Sequence, residues 1–289
     1  MSEPQLNPTT TPTPATTIIE NVESAQFDWV THWQTLGQPW RTEVEIDPER
    51  QQFLSQRLAI TVDVVAGRYP FKNVELNRAD VEWLLATHED GQGPVDWNDL
   101  SQRNRLGLDL RGADLRNQNL QGLPLTRLQA GIYWTEGSRR LTRAQIHAAS
   151  IHLDEADLRS CQLQGAKLYH AYLQNAILGE AQVQEAQLNE ANLQNTILLR
   201  CNFERANLED AHFEGAFLYQ ARLGGANMVG TFFSAACELD EVSLRDENNN
   251  YPILVDTNWG DAVLAVLDFE SLLTTGDEQN IMTLEIWTK

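Results

Sequence analysis

The side chains best equipped for chemistry are six histidines, three cysteines and one acidic loop, and their spacing decides what each could do. His32, His88, His147, His152, His170 and His212 include no pair with the H-E-x-x-H arrangement that puts two imidazoles and a general base on one helix face. Cys161, Cys201 and Cys237 have neither metal-ligand spacing nor a disulfide framework, so they read as core residues of a reducing, cytoplasmic compartment. The loop THEDGQGPVDWND at 87–99 offers Asp90, Asp96 and Asp99 to a cation, but without the alternating carboxylates of a calcium loop it reads as a solvated turn. No Gly-rich phosphate loop and no serine in an elbow motif occurs. The expectation is a protein that is not an enzyme, with no catalytic residues, no cofactor and no metal.

What must position any site is a chain of 289 residues with a formal charge of -20. That charge argues against direct binding to nucleic acid or to an anionic membrane. It is unevenly spread: 16 acids and 8 bases in 1–105, 3 and 6 in 106–150, 10 and 5 in 151–235, and 12 and 2 in 236–289. No basic segment followed by an apolar run opens the chain, and AVLAVL at 262–267 is too short to span a membrane.

Residues 1–25 are Thr/Pro-rich, as in TTTPTPATT, and are expected to be a disordered tail. A helical capping region is expected over 26–105. Asp47-Pro48-Glu49 starts one helix running to about Ala59, Asn77 caps another over Arg78 to His88, and GQGP at 91–94 ends it. From 106 to 271 a five-residue pattern dominates, beginning LDLRG-ADLRN-QNLQG-LPLTR over 108–127. It breaks at 128–150, where the capping box of Thr142 and Gln145 predicts a short helix over 143–150. It then runs in unbroken register from Ile151 to about Ala235, through 17 blocks such as ADLRS, CQLQG and ANLED. Looser blocks occur at VELNR (74), VSLRD (242), TNWGD (257), AVLAV (262) and LDFES (267), with a second insertion near 247–256 and a tail or cap at 272–289.

A period of five suits neither regular element. On a helix each step of five advances the residue by roughly 140° net, so the leucines form no stripe. On a flat strand an odd period sends them to alternate faces. The pattern works if the chain turns a corner in each block, so that the small residue and the leucine two positions later both point inward. Blocks such as ADLRS, ANLQN and ANLED resemble those of the pentapeptide-repeat family. The resemblance implies an all-β repeat solenoid, a right-handed four-sided parallel β-helix with four blocks per coil, here with a small α-helical N-terminal region and a helical insertion near 128–150.

Wrapping the chain at four blocks per coil stacks Asp157, Ile177, Ile197 and Phe217 in one outward column, with Arg159, Gly179, Leu199 and Tyr219 beside it. The neighbouring side carries His152, Tyr172, Asn192, His212 and Phe232. His152 and His212 fall three coils apart, about 14 Å, too far to share a metal. Tyr172, Ile177, Ile197, Leu199, Phe217, Tyr219 and Phe232 are therefore the candidate interaction surface, because exposed apolar ridges mark contact sites. The alternative for this ridge is cover by the C-terminal segment or by the 128–150 insertion. The leading reading is a non-catalytic scaffold that binds a protein partner or a second copy of itself as a homodimer. The alternative implied by the resemblance is a DNA mimic that binds or protects DNA gyrase or another topoisomerase; an appendage of an enzyme system is third.

Overall fold

Each five-residue block makes one straight step and one corner, and the backbone of the computed structural model shows how. The structure describes residues 27–136, 139–234, 237, 239, 241–248, 250–254 and 257; the expected tail at 1–25, the blocks at 262 and 267 and the end segment 272–289 lie outside them. Glu155, Ser160, His170, Asn175, Glu180, Glu185 and Glu190 each close a block, and their φ values lie between 53° and 61°. This is the left-handed region, which L-residues enter at a cost and which reverses the chain sharply. A backbone hydrogen bond closes each corner, as where Ala156 N donates to Leu153 O at 3.1 Å. The two residues flanking the straight step's midpoint then face inward: Ala156 and Leu158 are fully buried, as are Ala176, Ala181, Ala186 and Ala191 in equivalent places.

Parallel bridges join each residue to its equivalent four blocks later. His152, Tyr172, Asn192, His212 and Phe232 form the first side's column, and Asp157, Ile177, Ile197 and Phe217 the second's. Gln162, Gln182, Asn202 and Arg222 form the third, and Lys167, Gln187, Asn207 and Asn227 the fourth. Four columns for four blocks make a four-sided coil whose turns stack about 4.8 Å apart. Its axis is filled by one continuous apolar cluster, with Phe213 stacked on Phe233 at 5.3 Å and edge-on to Phe203 at 6.1 Å.

Two boundaries differ from the sequence reading. The first interruption does not begin at 128, because Gln129 bridges both Asp109 and Lys167. Leu128 and Ala130 are both buried, with the large residue where the small one normally stands and the small one in the leucine's place. Across the break the bridges run from Asp114 to His152 and from Asn119 to Asp157, so the insertion lengthens one coil to nearly twice the usual span, and Ile151 resumes beside Ala130. Likewise the later interruption ends before 256. Ile253 already bridges Asn227, and the extra residues form a loop in which the Asp246 carboxylate accepts from the backbone N–H groups of Asn248 and Asn250.

At the open N-terminal end lie α1 (Trp29–Thr35), α2 (Pro48–Leu58) and α3 (Arg78–Gly91). Asp47 caps α2, and Asn77 with Asp80 forms a reciprocal capping box on α3, whose last turn leaves helical geometry at His88, Glu89 and Asp90. Segment 73–76 pairs with the first coil: Leu76 N donates to Asp114 O and Asp114 N to Val74 O, both at 2.9 Å. That pairing removes the exposed edge which would otherwise template aggregation. The insertion contains a short hairpin, β1 (Thr135–Glu136) with β2 (Arg139–Arg140), followed by α4 (Arg143–Ala149) with its Thr142/Gln145 capping box. The hairpin had no signal in the repeat pattern.

One arginine ties cap to coil. Arg78 donates from Nε to the buried Glu82 carboxylate at 2.8 Å, and from Nη1 to Asn119 O and Gln121 O at 3.2 and 3.0 Å. Glu82 also accepts from the backbone N–H groups of Thr42 and Glu43. Removing Arg78 leaves a buried carboxylate without its counter-charge. Arg78→Ala is therefore expected to lose about 3–5 kcal/mol in urea unfolding. Arg116→Ala, which opens an exposed pair with Asp114, should lose no more than about 1 kcal/mol. At a corner, Glu185→Val should be less stable than Glu185→Gly by about 1–2 kcal/mol in the same assay, because only glycine is free of the Cβ clash at that φ.

Candidate interaction surface

The outward positions on either side of each inward leucine stack on their own kind one coil away, so chemically similar blocks one coil apart build patches. On the second side this places Ile197 over Ile177 and Phe217 over Ile197, with Leu199 and Tyr219 in the adjacent column. Ile197, Leu199, Phe217 and Tyr219 are 40%, 38%, 42% and 36% exposed, and Ile177 is half-buried. Among the described residues these four form one exposed island.

Polar groups frame it. At one end Arg159 donates from Nε to Asp157 at 2.9 Å, and Gly179 leaves the next position of Arg159's column bare. Along the following corner runs a ladder of Glu180, Arg200, Gln220 and Glu241: Arg200 lies 3.5 Å from Glu180 and donates to Gln220 Oε1 at 2.9 Å, and Gln220 donates to Glu241. An apolar centre with a polar rim is the anatomy of a protein contact surface. The rim was not identified from the sequence, although the four-block spacing of Glu180, Arg200 and Gln220 was the available signal; Glu241 follows one residue out of step.

The other two expected members, Tyr172 and Phe232, belong to the first side. Phe232 stacks on His212, ring centres 4.8 Å apart. Tyr172 stacks on His152 at 4.6 Å, and its hydroxyl meets His147 Nδ1 of α4 at 2.5 Å. The insertion thus partly covers Tyr172, which lies on a different side of the coil from the island. Nearby, His170 Nδ1 lies 3.4 Å from Glu190. Burial, reinforced by His147, lowers the His170 pKa from 6.5 to about 4 despite that carboxylate. Glu190 is itself held above the usual carboxylate range by burial and then by Asp210.

The remaining reactive groups are placed elsewhere. All three thiols are free and buried, and burial pushes Cys161 up to about 12 and Cys201 well above its ordinary value, so neither is a nucleophile at neutral pH. Asp99 spends its carboxylate on Ser101 and Gln102, and Asp96 on Asn98 N–H. Among the described residues no group of three or more His, Cys, Asp or Glu side chains is arranged to hold a metal, and no helix is long and apolar enough to cross a membrane.

The largely buried His170 carries a pH signature. Between pH about 6.5 and about 4 the unfolded chain binds a proton there that the folded chain does not, so stability falls as pH drops through that window. His170→Gln should flatten the fall between pH 7 and 4.5, measured as urea midpoints of variant and parent at each pH.

The family model described as pentapeptide repeats matches the chain in eight copies, over residues 141–179 and 186–225. Among solved structures, the chain is similar to a pentapeptide repeat protein, Rfr23, from the cyanobacterium Cyanothece 51142, at 30% identity over 50% of this chain and 90% of that one, with a TM-score of 0.21. It is also similar to full-length QnrB1, a plasmid-mediated fluoroquinolone resistance protein, at 18% identity over 56% and 83%, TM-score 0.27. A third is HetL, a pentapeptide repeat protein involved in heterocyst differentiation regulation from the cyanobacterium Nostoc sp. strain PCC 7120, at 22% identity over 55% and 79%, TM-score 0.16. No curated protein matches.

Proposed function

Starting from the fact that this chain belongs to the pentapeptide-repeat family, we propose that it is a non-catalytic scaffold whose second side binds another protein. The observation that carries this reading is the rimmed apolar island of Ile197, Leu199, Phe217 and Tyr219. Covering what each side chain still exposes contributes on the order of 1 kcal/mol, enough in sum to anchor a modest complex. The coil is taken as a right-handed β-helix. Of the described residues, 27–105 are taken as its cap and those from 106 onward as the repeat. A cytoplasmic setting is supported by the three free buried thiols.

Mimicry of DNA toward gyrase would need continuous rows of carboxylate. The bridged columns of the third and fourth sides do not supply them: the third presents Gln162, Gln182, Asn202 and Arg222, and the fourth Lys167, Gln187, Asn207 and Asn227. On these sides carboxylates stack only at corners such as Glu190 and Asp210. Net charge alone therefore does not favour that reading.

A photo-crosslinking residue placed at Leu199 in cells should capture one discrete protein, whereas the same residue at Gln182 on the third side should not. Adding Ile197→Ser and Phe217→Asn should abolish the capture while the protein still unfolds cooperatively in urea, at a midpoint lowered by the part of each side chain that is already buried. Identical capture from both positions would sink the proposal.

A further inference from the structure

The fourth side carries a slot that arises from a missing side chain. The column beside Asp109, Gln129 and Lys167 runs Arg111, Gly131, Tyr169. Gly131 passes so close to Tyr169 that a Cβ there would collide with its carbonyl oxygen, so no side chain can fill the position between Arg111 and Tyr169. Those two backbones are about 10 Å apart by coil spacing, room for one flat ring between a guanidinium and a phenol. The insertion roofs the gap with Tyr133, whose ring centre is 5.5 Å from that of Tyr169, and with Leu141; Val64 of the cap closes a further wall. The result is a cavity of about 240 Å³.

Its electrostatics are unusual for so acidic a chain. The lining holds two cations and no carboxylate. Arg111 is engaged by Asp109. The Lys167 ammonium makes no ion pair or hydrogen bond among the described residues, although the residue is half-buried. An ammonium with no partner among the described residues is free to donate a charge-assisted hydrogen bond to an arriving anion. The flat walls add stacking and cation–π contact. A lining of this charge disfavours a cation.

From this geometry we propose that the slot binds a small planar carboxylate, an aromatic acid, with its carboxylate on Lys167 Nζ and its ring between Arg111 and Tyr169. The insertion then serves as the roof of a ligand site, a role separate from the apolar island.

The test is calorimetric titration of the full chain with benzoate, alongside benzamide as the neutral isostere. Benzoate should saturate at or below about 10 mM, as expected for so few heavy atoms, and benzamide should bind at least tenfold more weakly. Lys167→Met should weaken benzoate at least tenfold with an unchanged circular dichroism spectrum. On the parent protein, benzoate affinity should also fall as salt rises from low to about 0.5 M, which keeps the proposal testable if the variant misfolds. No saturation, equal affinity for benzoate and benzamide, indifference to Lys167→Met in a folded variant, or no salt dependence would each overturn it.

Discussion

A residue held near φ +57° at the end of each block sets the geometry on which the other features depend. Because the corner recurs in every block, the intervening step is too short for more than one bridge, and the next coil must supply its partner. Hydrogen bonding is thereby moved from within a segment to between segments one full coil apart. The inward pair follows, since the residues on either side of the bridged position both point at the axis. The strain is spread over many non-glycine corners, each individually costly. It is offset by the leucines and phenylalanines they direct inward, each contributing roughly 1.5–3 kcal/mol by burial.

A coil built this way must end somewhere, and its ends are where polar chemistry enters the interior. Leu54, Phe71, Leu84 and Leu85 close the apolar axis at the N-terminal end. The carboxylate of Glu82 goes with them, satisfied by two backbone N–H groups and by Arg78. Arg50 does the same for the buried Asp80. The insertion rests on the same end, with Gly112 N donating to Ala149 O and Gln145 Nε2 to Val65 O. Cap and insertion therefore stabilise each other through the first coils, and His147 carries the insertion onto Tyr172 of the next coil.

Stacking of equivalents makes surface features cumulative. Two apolar substitutions per block, repeated one coil later, are enough for the island around Ile197 and Phe217. One glycine, at position 131, is enough to open the slot between Arg111 and Tyr169. Both are consequences of the four-block step, one by addition of side chains and the other by omission.

The period, the inward residues and the helix starts at Asp47, Asn77 and Thr142 were legible in the sequence because each depends on neighbours at most a few residues away. So was the column order, because a constant four-block step converts sequence spacing into spatial contact. The continuation of the coil through Leu128 and Ala130 was not. Their sizes are exchanged, and only their shared burial in the stacked core shows that they occupy one step. The contact of His147 with Tyr172, and the roofing of the slot by Tyr133, were likewise decided in three dimensions. Both depend on where the insertion comes to rest. That follows from contacts with the distant cap, such as Gln145 to Val65, which no local pattern in the chain encodes.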